Sequence, residues 1–261
     1  MDDLIIKVTV SNNIIKRILC YPLSECGKVL QERIHYLKKI GVTHIISGGP
    51  VSIGEGIKVL GKGFSSIVIK AIWKNQIVLM KVRRLDSRRE TLEHEAQYLS
   101  LANKINVGPK LYAHSKDFII REYIDGIEFQ DWIRREENNA IIKLVLRDII
   151  LQCYRLDVIG LDHGELSRPH KHIIISIKHD LPKAFIIDFE SASTQRKPHN
   201  VTSFLNYILF RKNEISAKVR RILRLNDNDI SKVHSLIREY KKRPNFILLE
   251  NILKNTHLAD A

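Results

Sequence analysis

A glycine-rich turn between two strand-like segments limits the folds open to this chain more than any other feature. Residues 57–73 alternate apolar and polar side chains on both sides of Gly61-Lys62-Gly63, a pattern typical of a β-hairpin. A Rossmann or P-loop fingerprint would lead from the glycines into a helix, so the pattern argues against both folds. A glycine-rich hairpin can hold backbone amides over phosphates, because glycine lets the main chain come close. An ordinary turn is the alternative interpretation.

A lysine within the following apolar strand is the second unusual feature. Lys81 stands between apolar neighbours, so its ammonium lies among side chains that favour burial. A buried ammonium needs a partner, and the helix that we predict over about 88–104 offers Glu93 and Glu95. A lysine–glutamate pair behind a phosphate-covering hairpin would anchor the phosphates of a nucleotide. The alternative is an edge-strand lysine whose charge reaches solvent.

Two short apolar runs, 173–175 and 184–187, predict a second hairpin with a polar turn near 179–182. A polar loop precedes the first run, and an acidic residue ends the second. Carboxylates and a neutral ligand gathered at one end of this hairpin can orient a hydroxyl and hold a metal ion on phosphates. The residues concerned are Glu165, His170 or His172, and Asp188. The alternative is a pair of buried strands with polar ends.

The segment before the glycine-rich hairpin predicts a small α+β extension over residues 1–55. Its predicted elements are a strand (4–10), an amphipathic helix (24–40), a strand (42–46) and a turn (47–50). Ser24 is the expected N-cap of the helix, and Gly41 is expected to end it.

The chain after the glycine-rich hairpin predicts two more strands and a largely helical remainder. The strands are 111–114 and 118–124, and the helices are 128–135, 139–157, 201–209, 214–225, 230–242 and 246–255. The helix over 214–225 is strongly basic. Such clusters either bind phosphate backbones or form solvated helix faces.

The overall charge allows the same two interpretations, a phosphate-binding surface or a solvated basic surface. The 261 residues carry a formal net charge of +14, which predicts an anionic partner or simply a basic surface. The cysteines Cys20, Cys26 and Cys153 lack metal-ligand spacing; their odd number and the absence of a signal peptide predict a reducing, cytoplasmic location. No apolar run approaches the ~18 residues of a membrane span, so we expect no membrane partner.

Five separated sequence elements together resemble the protein-kinase-like superfamily, and specifically the compact RIO and KEOPS-complex kinases and related archaeal-type atypical kinases. The resemblance covers about residues 57–210. In chain order the elements are Leu60–Val68 with Gly61 and Gly63, Met80-Lys81, Glu95-Ala96, Arg121-Glu122-Tyr123-Ile124-Asp125-Gly126, and His163-Gly164-Glu165-Leu166 with Ile186–Glu190. Their shared order and suitable spacing make the resemblance specific.

The resemblance implies an α+β, bilobal protein-kinase-like fold. Residues 56–124 would form an N-lobe, with an antiparallel sheet and one helix, that ends in the hinge. Residues 125–261 would form a small, mostly helical C-lobe, and residues 1–55 would remain a separate α+β extension. The resemblance also implies an ATP-dependent serine/threonine protein kinase that uses Mg²⁺ or Mn²⁺.

The resemblance implies roles for matching residues. The nucleotide-binding positions are Gly61, Lys62, Gly63, Val68, Lys81, Glu95, Glu122 and Ile124. The catalytic positions are Lys81, Glu165 and Asp188, and the metal ligands are Asp188 and His172. Glu95 matches the lysine's partner better than Glu93 does. Glu165 occupies the position of the family's catalytic aspartate.

Several positions depart from the family pattern. Ser66 replaces the third glycine of the hairpin, Glu190 replaces the glycine after Asp188, and Arg121 is a charged residue at the gatekeeper position. His172 stands where the family has a metal-binding asparagine, although a rigid count from Glu165 selects His170. Because imidazole suits softer metals than Mg²⁺, we expect Mn²⁺ to support activity at least as well, or the Asp188 metal alone to bind.

The segment after Asp188 bears on the substrate. It lacks a long activation loop and an Ala-Pro-Glu motif, so the peptide-docking platform of conventional kinases is expected to be missing. Ser191, Ser193 and Thr194 are either autophosphorylation sites or parts of a simple turn. The first functional hypothesis is a kinase acting on a protein substrate. The others are a nucleotide-binding module or weak ATPase in an RNA-processing assembly, with RNA or a ribonucleoprotein as partner, and a small-molecule kinase.

Overall fold

The computed structural model describes residues 3–178 and 181–259, and it has an α+β fold. The chain forms two compact units. The first unit comprises the described residues of Met1–Gln97 together with Lys110–Tyr123. The second unit comprises Tyr98–Pro109 and the described residues from Ile124 onward.

An antiparallel sheet is the framework of the first unit. In sheet order its strands are β1 (Leu4–Lys7), β2 (Val42–Ser47), β6 (Ser66–Trp73), β7 (Gln76–Arg83), β9 (Phe118–Glu122) and β8 (Leu111–Ser115), with β5 (Gly61–Lys62) paired to β6. The short strands β3 (Val51–Ser52) and β4 (Lys58–Val59) pair with each other. Because β2 pairs with β6, strands from the predicted extension and from the predicted N-lobe form one continuous sheet.

Two helices pack onto this sheet through a shared apolar core. They are α1 (Asn13–Leu19) and α2 (Lys28–Ile40). Ile15, Ile18 and Leu37 are fully buried in the same cluster as the inner faces of β2, β6 and β7. Burying one such side chain contributes about 1.5–3 kcal/mol, so the apolar faces of these two helices attach residues 13–40 to the sheet.

The beginnings of these helices correct the sequence prediction. Helix α1 was not predicted, although the side chain of Asn12 accepts hydrogen bonds from the amides of Ile14 and Ile15 and so marks its start. Helix α2 begins at Lys28, so Ser24 does not cap it. Gly41 ends α2 as predicted, in the left-handed conformation that glycine adopts without steric cost.

A disulfide joins Cys20 and Cys26 across the connection between α1 and α2. This corrects the inference from cysteine number, because only Cys153 is a free, buried thiol. The spacing of Cys20 and Cys26 gave no warning, since a pairing cannot be deduced from spacing alone. The disulfide removes the cysteine-based argument for a reducing compartment.

A buried charge network holds helix α2 against the sheet. The guanidinium of Arg33, which is 1% exposed, donates to Asp117 Oδ1 at 2.7 Å, to the carbonyl of Arg83 at 3.0 Å and to the carbonyl of Leu19. Arg83 Nε donates to the same Asp117 oxygen at 2.8 Å. Burial alone would raise the pKa of Asp117, but the hydrogen bonds and charges of the two arginines offset this effect and lower it.

Helix α3 (Glu93–Lys104) begins about five residues later than predicted. The hydroxyl of Thr91 accepts a hydrogen bond from the amide of Glu93, and this contact marks the start of the helix. The polar residues 88–91 therefore precede the helix.

The second unit combines helices with a small antiparallel sheet. The strands are β10 (Ile127–Glu128), β11 (Ile173–Ser176) and β12 (Lys183–Ile186). The predicted hairpin over 173–187 is confirmed, with Ile173 opposite Ile186 and Ile175 opposite Ala184. Residues 179 and 180 of its predicted turn lie outside the described residues.

The helices of the second unit follow the predicted pattern closely. They are α4 (Phe129–Arg135), α5 (Asn139–Val158), α6 (Asn200–Leu205), α7 (Glu214–Leu223), α8 (Asp227–Lys242) and α9 (Phe246–Asn255). The predicted helix over 201–209 becomes α6 and then one π-helical turn, Asn206–Phe210. The side chain of Asn226 forms a capping box with Asp229, which explains why α8 starts there.

Across residues 3–178 and 181–259, none of the helices has the length and apolar character that crossing a membrane requires.

Candidate functional site

A buried ion pair lies at the centre of the first unit. Lys81 stands in β7, opposite Val68 of β6 and Ile119 of β9, which fixes the direction of its side chain. Its Nζ lies 2.5 Å from Oε1 of Glu95, and the two side chains are only 6% and 5% exposed. Glu93 is exposed, so Glu95 is the helix residue that meets the lysine. Separating a buried pair of opposite charges would leave an uncompensated charge away from water, so the two side chains stay together.

Arg84 holds the glycine-rich hairpin in place through hydrogen bonds to its backbone. The amide of Gly63 donates to the carbonyl of Ser66 at 2.8 Å, which closes the turn. Arg84 donates through its side chain to the carbonyl of Gly63 at 2.9 Å and through its amide to the carbonyl of Ser65 at 2.8 Å. Phe64 at the tip is 78% exposed. The hairpin is therefore ordered along its base and open at its tip.

The predicted hinge begins at the end of β9. The amide of Glu122 donates to the carbonyl of Lys110 at 2.8 Å, and the carbonyl of Glu122 accepts from the side chain of Arg121 at 3.0 Å. Both backbone groups of Glu122 thus have partners within the chain. Arg121, the predicted gatekeeper, is 4% exposed and directs its guanidinium toward the hinge backbone. Ile124, the other predicted contact of an adenine ring, is 7% exposed.

The polar end of the β11–β12 hairpin gathers a histidine and two carboxylates. Asp188 follows β12 in the left-handed conformation, with φ of 68° and ψ of 73°. Its Oδ2 lies 3.9 Å from Nδ1 of His172, which precedes β11. The carboxylates of Asp188 and Glu190 each offer an oxygen within 4.8 Å of the other. His170 lies in the short 3₁₀ turn Pro169–Lys171, and of the two histidines it is His172 that stands beside Asp188.

Asp188 and Glu190 can together offer two oxygen ligands to a divalent cation, and His172 lies beside Asp188. Two ligands in adjacent positions around one small cation, each ~2.1 Å from it, lie about 3 Å apart. The 3.9 Å between His172 and Asp188 would therefore close by about 1 Å around a shared ion. A mixed nitrogen and oxygen set suits Mn²⁺ better than Mg²⁺, which prefers oxygen ligands only. Asp188 and Glu190 supply the oxygen ligands that either ion accepts.

Glu165 is engaged by a serine of the chain itself. Its Oε1 accepts a hydrogen bond from the hydroxyl of Ser191 at 2.9 Å. The two segments are joined by a backbone bridge, in which Asp162 and Ser193 exchange amide–carbonyl hydrogen bonds of 2.9 and 2.8 Å. The carboxylate of Glu165 is thus held in a fixed position beside a hydroxyl.

Gly164 makes this close approach sterically acceptable. It has a φ of +88°, a conformation that other residues rarely adopt. A Cβ atom built there would lie 2.8 Å from the carbonyl oxygen of Ser191 and 2.8 Å from the guanidinium of Arg196. Glycine is therefore required between His163 and Glu165 for both backbone and packing reasons.

His163 is a neutral, fully buried residue beneath the site. Its Nε2 lies 3.0 Å from the carbonyl of Ile187; a carbonyl can only accept, so Nε2 carries the proton. Burial, followed by the charge of His172, lowers the pKa of His163 to about 4. Its ring packs edge-on against Phe189 and His172, with centroids 5.0 and 5.7 Å away. His163 thus connects the loop before Glu165 to Ile187 through a hydrogen bond.

Asp157 at the end of α5 anchors the same loop from the other side. Its Oδ1 accepts from the amide and the side-chain nitrogen of Asn200, and its Oδ2 accepts from the amide of Val201 and the hydroxyl of Tyr240. Burial raises the pKa of Asp157, and these hydrogen bonds reduce the shift. Asn200 in turn donates to the carbonyl of Leu161 and accepts from the amide of His163.

Sequence reasoning missed this anchoring pair. Asp157 was assigned only to a core helix, and Asn200 only to a polar segment. A usable signal was present, because a carboxylate on the apolar face of a helix must find buried donors. The identity of those donors depends on tertiary contacts across 43 residues of sequence, which no local pattern encodes.

The basic helix α7 uses part of its charge inside the chain. Lys218 donates to the carbonyls of Arg134 and Glu136 at the end of α4, and Arg220 donates to the carbonyl of Leu209. Arg221 and Arg224 are exposed. Lys218 and Arg220 therefore donate hydrogen bonds to backbone carbonyls at the ends of other helices. The exposed side chains of Arg221 and Arg224 are accessible to an anionic partner.

Comparisons with known proteins give one distant relative. No family model matches the chain. A search of curated proteins finds similarity to the "uncharacterized protein MJ1211" of Methanocaldococcus jannaschii, with 28% identity over 121 residues. The match covers 46% of this chain and 98% of that protein.

Proposed function

We propose that the protein is an ATP-dependent phosphotransferase, an atypical serine/threonine kinase acting on a protein substrate. The observation that carries this proposal is the Lys81–Glu95 pair, buried behind a glycine-rich hairpin in the same unit. Desolvating two charges costs about as much as their mutual attraction returns, so a buried ion pair adds little to stability and a functional role for Lys81 explains it better. Lys81, oriented by Glu95, would neutralise the phosphates of a nucleotide covered by the hairpin.

The second unit would supply the metal ligands and the base. Asp188 and His172 would hold a divalent cation, and the cation would neutralise charge on the transferred phosphoryl group. Glu165 would accept the proton of the substrate hydroxyl. Glu165 already accepts a hydroxyl hydrogen bond at 2.9 Å, the geometry that a general base needs.

The experiment measures transfer of label from [γ-³²P]ATP to dephosphorylated casein in Mg²⁺ and in Mn²⁺. Lys81→Met is expected to lower the rate by roughly a hundredfold or more, because it removes a charge that stabilises the transition state. Asp188→Ala and Glu165→Ala are expected to abolish transfer. Lys70→Met is the matched control, because Lys70 stands on the adjacent strand β6 and pairs with Asp3 at 2.6 Å. Equal activity of the Lys81 and Lys70 variants would refute the proposal.

A nucleotide-binding module in an RNA-processing assembly is the second candidate. The exposed residues Arg221 and Arg224 and the net charge of +14 favour it. In this case ATP would bind, Lys81→Met would abolish binding, and no label would be transferred. An RNA-binding assay with Arg221→Ala and Arg224→Ala would separate this candidate from the kinase, since a module that binds RNA here should lose affinity and salt dependence together.

A further inference from the structure

We propose that Ser191 is the chain's own phosphoryl acceptor, and that it is phosphorylated within the same molecule. This inference rests on the proposed phosphotransferase function and names one substrate of that site. The geometry that points to it is the Ser191 hydroxyl, which donates to Glu165 Oε1 at 2.9 Å. A substrate hydroxyl would have to make the same contact with the general base before transfer.

Ser191 is held in this position by three contacts: a 3₁₀ turn, a neighbouring backbone bridge and the side chain of Arg196. Ser191 ends a 3₁₀ turn that begins directly after Asp188. The amide of Ala192 donates to the carbonyl of Phe189, and the carbonyl of Ser191 accepts from Arg196 at 2.6 Å. The bridge between Asp162 and Ser193 fixes the following residue pair. A side chain on an unconstrained surface turn would not be fixed in this way.

Other hydroxyls in the same segment lack this geometry. Ser193 accepts a hydrogen bond from the amide of Gln195 at 3.1 Å, which is a local turn contact. Thr194 is exposed. Of the three hydroxyl residues that the sequence offers in this segment, Ser191 is therefore the one selected by the structure.

The transfer balances without a further reactant. The Oγ atom of Ser191 forms a bond to the γ-phosphorus of ATP, and the bond from that phosphorus to the β,γ-bridging oxygen breaks. The electron pair of the broken bond leaves with ADP. The proton of Ser191 passes to the carboxylate of Glu165. The new phosphate carries about −1.5 to −2 charges at neutral pH, so it repels Glu165 and removes the hydroxyl from that carboxylate.

Two consequences follow for activity. Before phosphorylation, Ser191 competes with an external hydroxyl for Glu165, so the chain's own serine acts as an inhibitory substitute for the substrate. A Ser191→Ala variant frees that carboxylate oxygen. It is therefore expected to phosphorylate an external protein at least as fast as the unmodified wild type, whereas Ser193→Ala should behave as wild type.

The test incubates the full-length, phosphatase-treated protein with [γ-³²P]ATP and Mn²⁺, with and without dephosphorylated casein. The wild type is expected to gain phosphoserine at Ser191, at a rate per molecule that does not change with protein concentration. Ser191→Ala should lose this label and Ser193→Ala should keep it. In Ser191→Thr the label should appear as phosphothreonine. This result would show that residue 191 is the phosphorylated position even if the alanine variant folds poorly.

The outcomes distinguish this inference from the proposed function. Label on casein with none at Ser191 in the wild type would overturn the inference and leave the kinase proposal standing. Label within the chain that Ser191→Ala retains in full would also overturn it. No transfer to casein or to the chain would overturn both.

Discussion

The contrast between the buried Asp157 and the half-buried Asp148, both in helix α5, gives the sharpest stability prediction. Asp157 receives donors on both carboxylate oxygens, two on each. Asp148 receives donors only on Oδ2, from the side chain of Gln152 at 3.0 Å and the amide of Ala184 at 3.3 Å. Burial raises the pKa of both residues. Replacing each aspartate by asparagine makes the same chemical change in two different hydrogen-bond environments.

The expected costs follow from counting donors. In Asp148→Asn the amide oxygen can take the position of Oδ2 and keep both donors, so the cost should stay below about 1 kcal/mol. In Asp157→Asn the new NH₂ group is itself a donor, and in place of Oδ2 it would face the amide of Val201 and the hydroxyl of Tyr240. The hydroxyl of Tyr240 can rotate to accept, but the amide of Val201 cannot. One unsatisfied buried N–H costs about 1–3 kcal/mol.

The two tryptophans allow the second unit to be followed alone. Trp132 is 3% exposed and lies in the second unit, and Trp73 lies in the first. Urea unfolding monitored by Trp132 fluorescence in a Trp73→Phe background should therefore report a loss of about 1–3 kcal/mol for Asp157→Asn. Equal losses in the Asp157 and Asp148 variants, or no loss in the Asp157 variant, would refute the reasoning from donor count.

Three further predictions concern the first unit. Glu95→Gln should lower its unfolding free energy by about 3–5 kcal/mol in urea, because it neutralises the carboxylate that lies 2.5 Å from the buried ammonium of Lys81; a cost below ~1 kcal/mol would contradict this. Because the pKa of Asp117 is lowered from 3.8, its contribution should be present above about pH 4 and lost as the pH falls through the lowered value, and Asp117→Asn should flatten this pH dependence. Reducing Cys20–Cys26 should cost about 2 kcal/mol, seen as a lower urea midpoint; an unchanged midpoint would contradict the pairing.

The elements with strong periodicity could be predicted from the sequence. The alternating pattern over 57–73 gave a hairpin, and the two apolar runs around 173–187 gave another, because side-chain alternation directly reflects a sheet face. The long helix α5 was predicted to within one residue at its C-terminal end, since it combines an Asn138 cap with a continuous apolar face.

Other features depended on tertiary contacts. Helix α1 is only seven residues long, and such a short pattern is weak without its packing partners. Helix α2 starts after Gly27, which has a positive φ. The sequence prediction placed the cap at Ser24, because a backbone conformation of this kind cannot be read from the sequence. The Cys20–Cys26 bond required the two ends of a short loop to meet, a fact of three-dimensional geometry.

Some residues of the candidate site could likewise be predicted from the sequence, and others required the three-dimensional structure. The sequence identified Lys81 and Asp188 because a charge interrupted or followed an apolar strand, and it identified Glu165 from the polar loop before the second hairpin and from the resemblance to kinases. The choice of Glu95 over Glu93 required the helix phase, and the choice of His172 over His170 required the 3₁₀ turn before β11. The Ser191–Glu165 contact depends on a backbone bridge between segments about 30 residues apart, and no sequence motif announces it.

An assay of label transfer from [γ-³²P]ATP by the purified protein decides whether the protein is a phosphotransferase. It should be run in Mn²⁺ and Mg²⁺ beside Lys81→Met, Asp188→Ala and Lys70→Met. The wild type and the Lys70 variant are expected to transfer label, at least as fast in Mn²⁺ as in Mg²⁺, and the other two variants are expected to lose transfer. Absence of transfer from the wild type in either metal, or transfer that survives both Lys81→Met and Asp188→Ala, would contradict the proposed function.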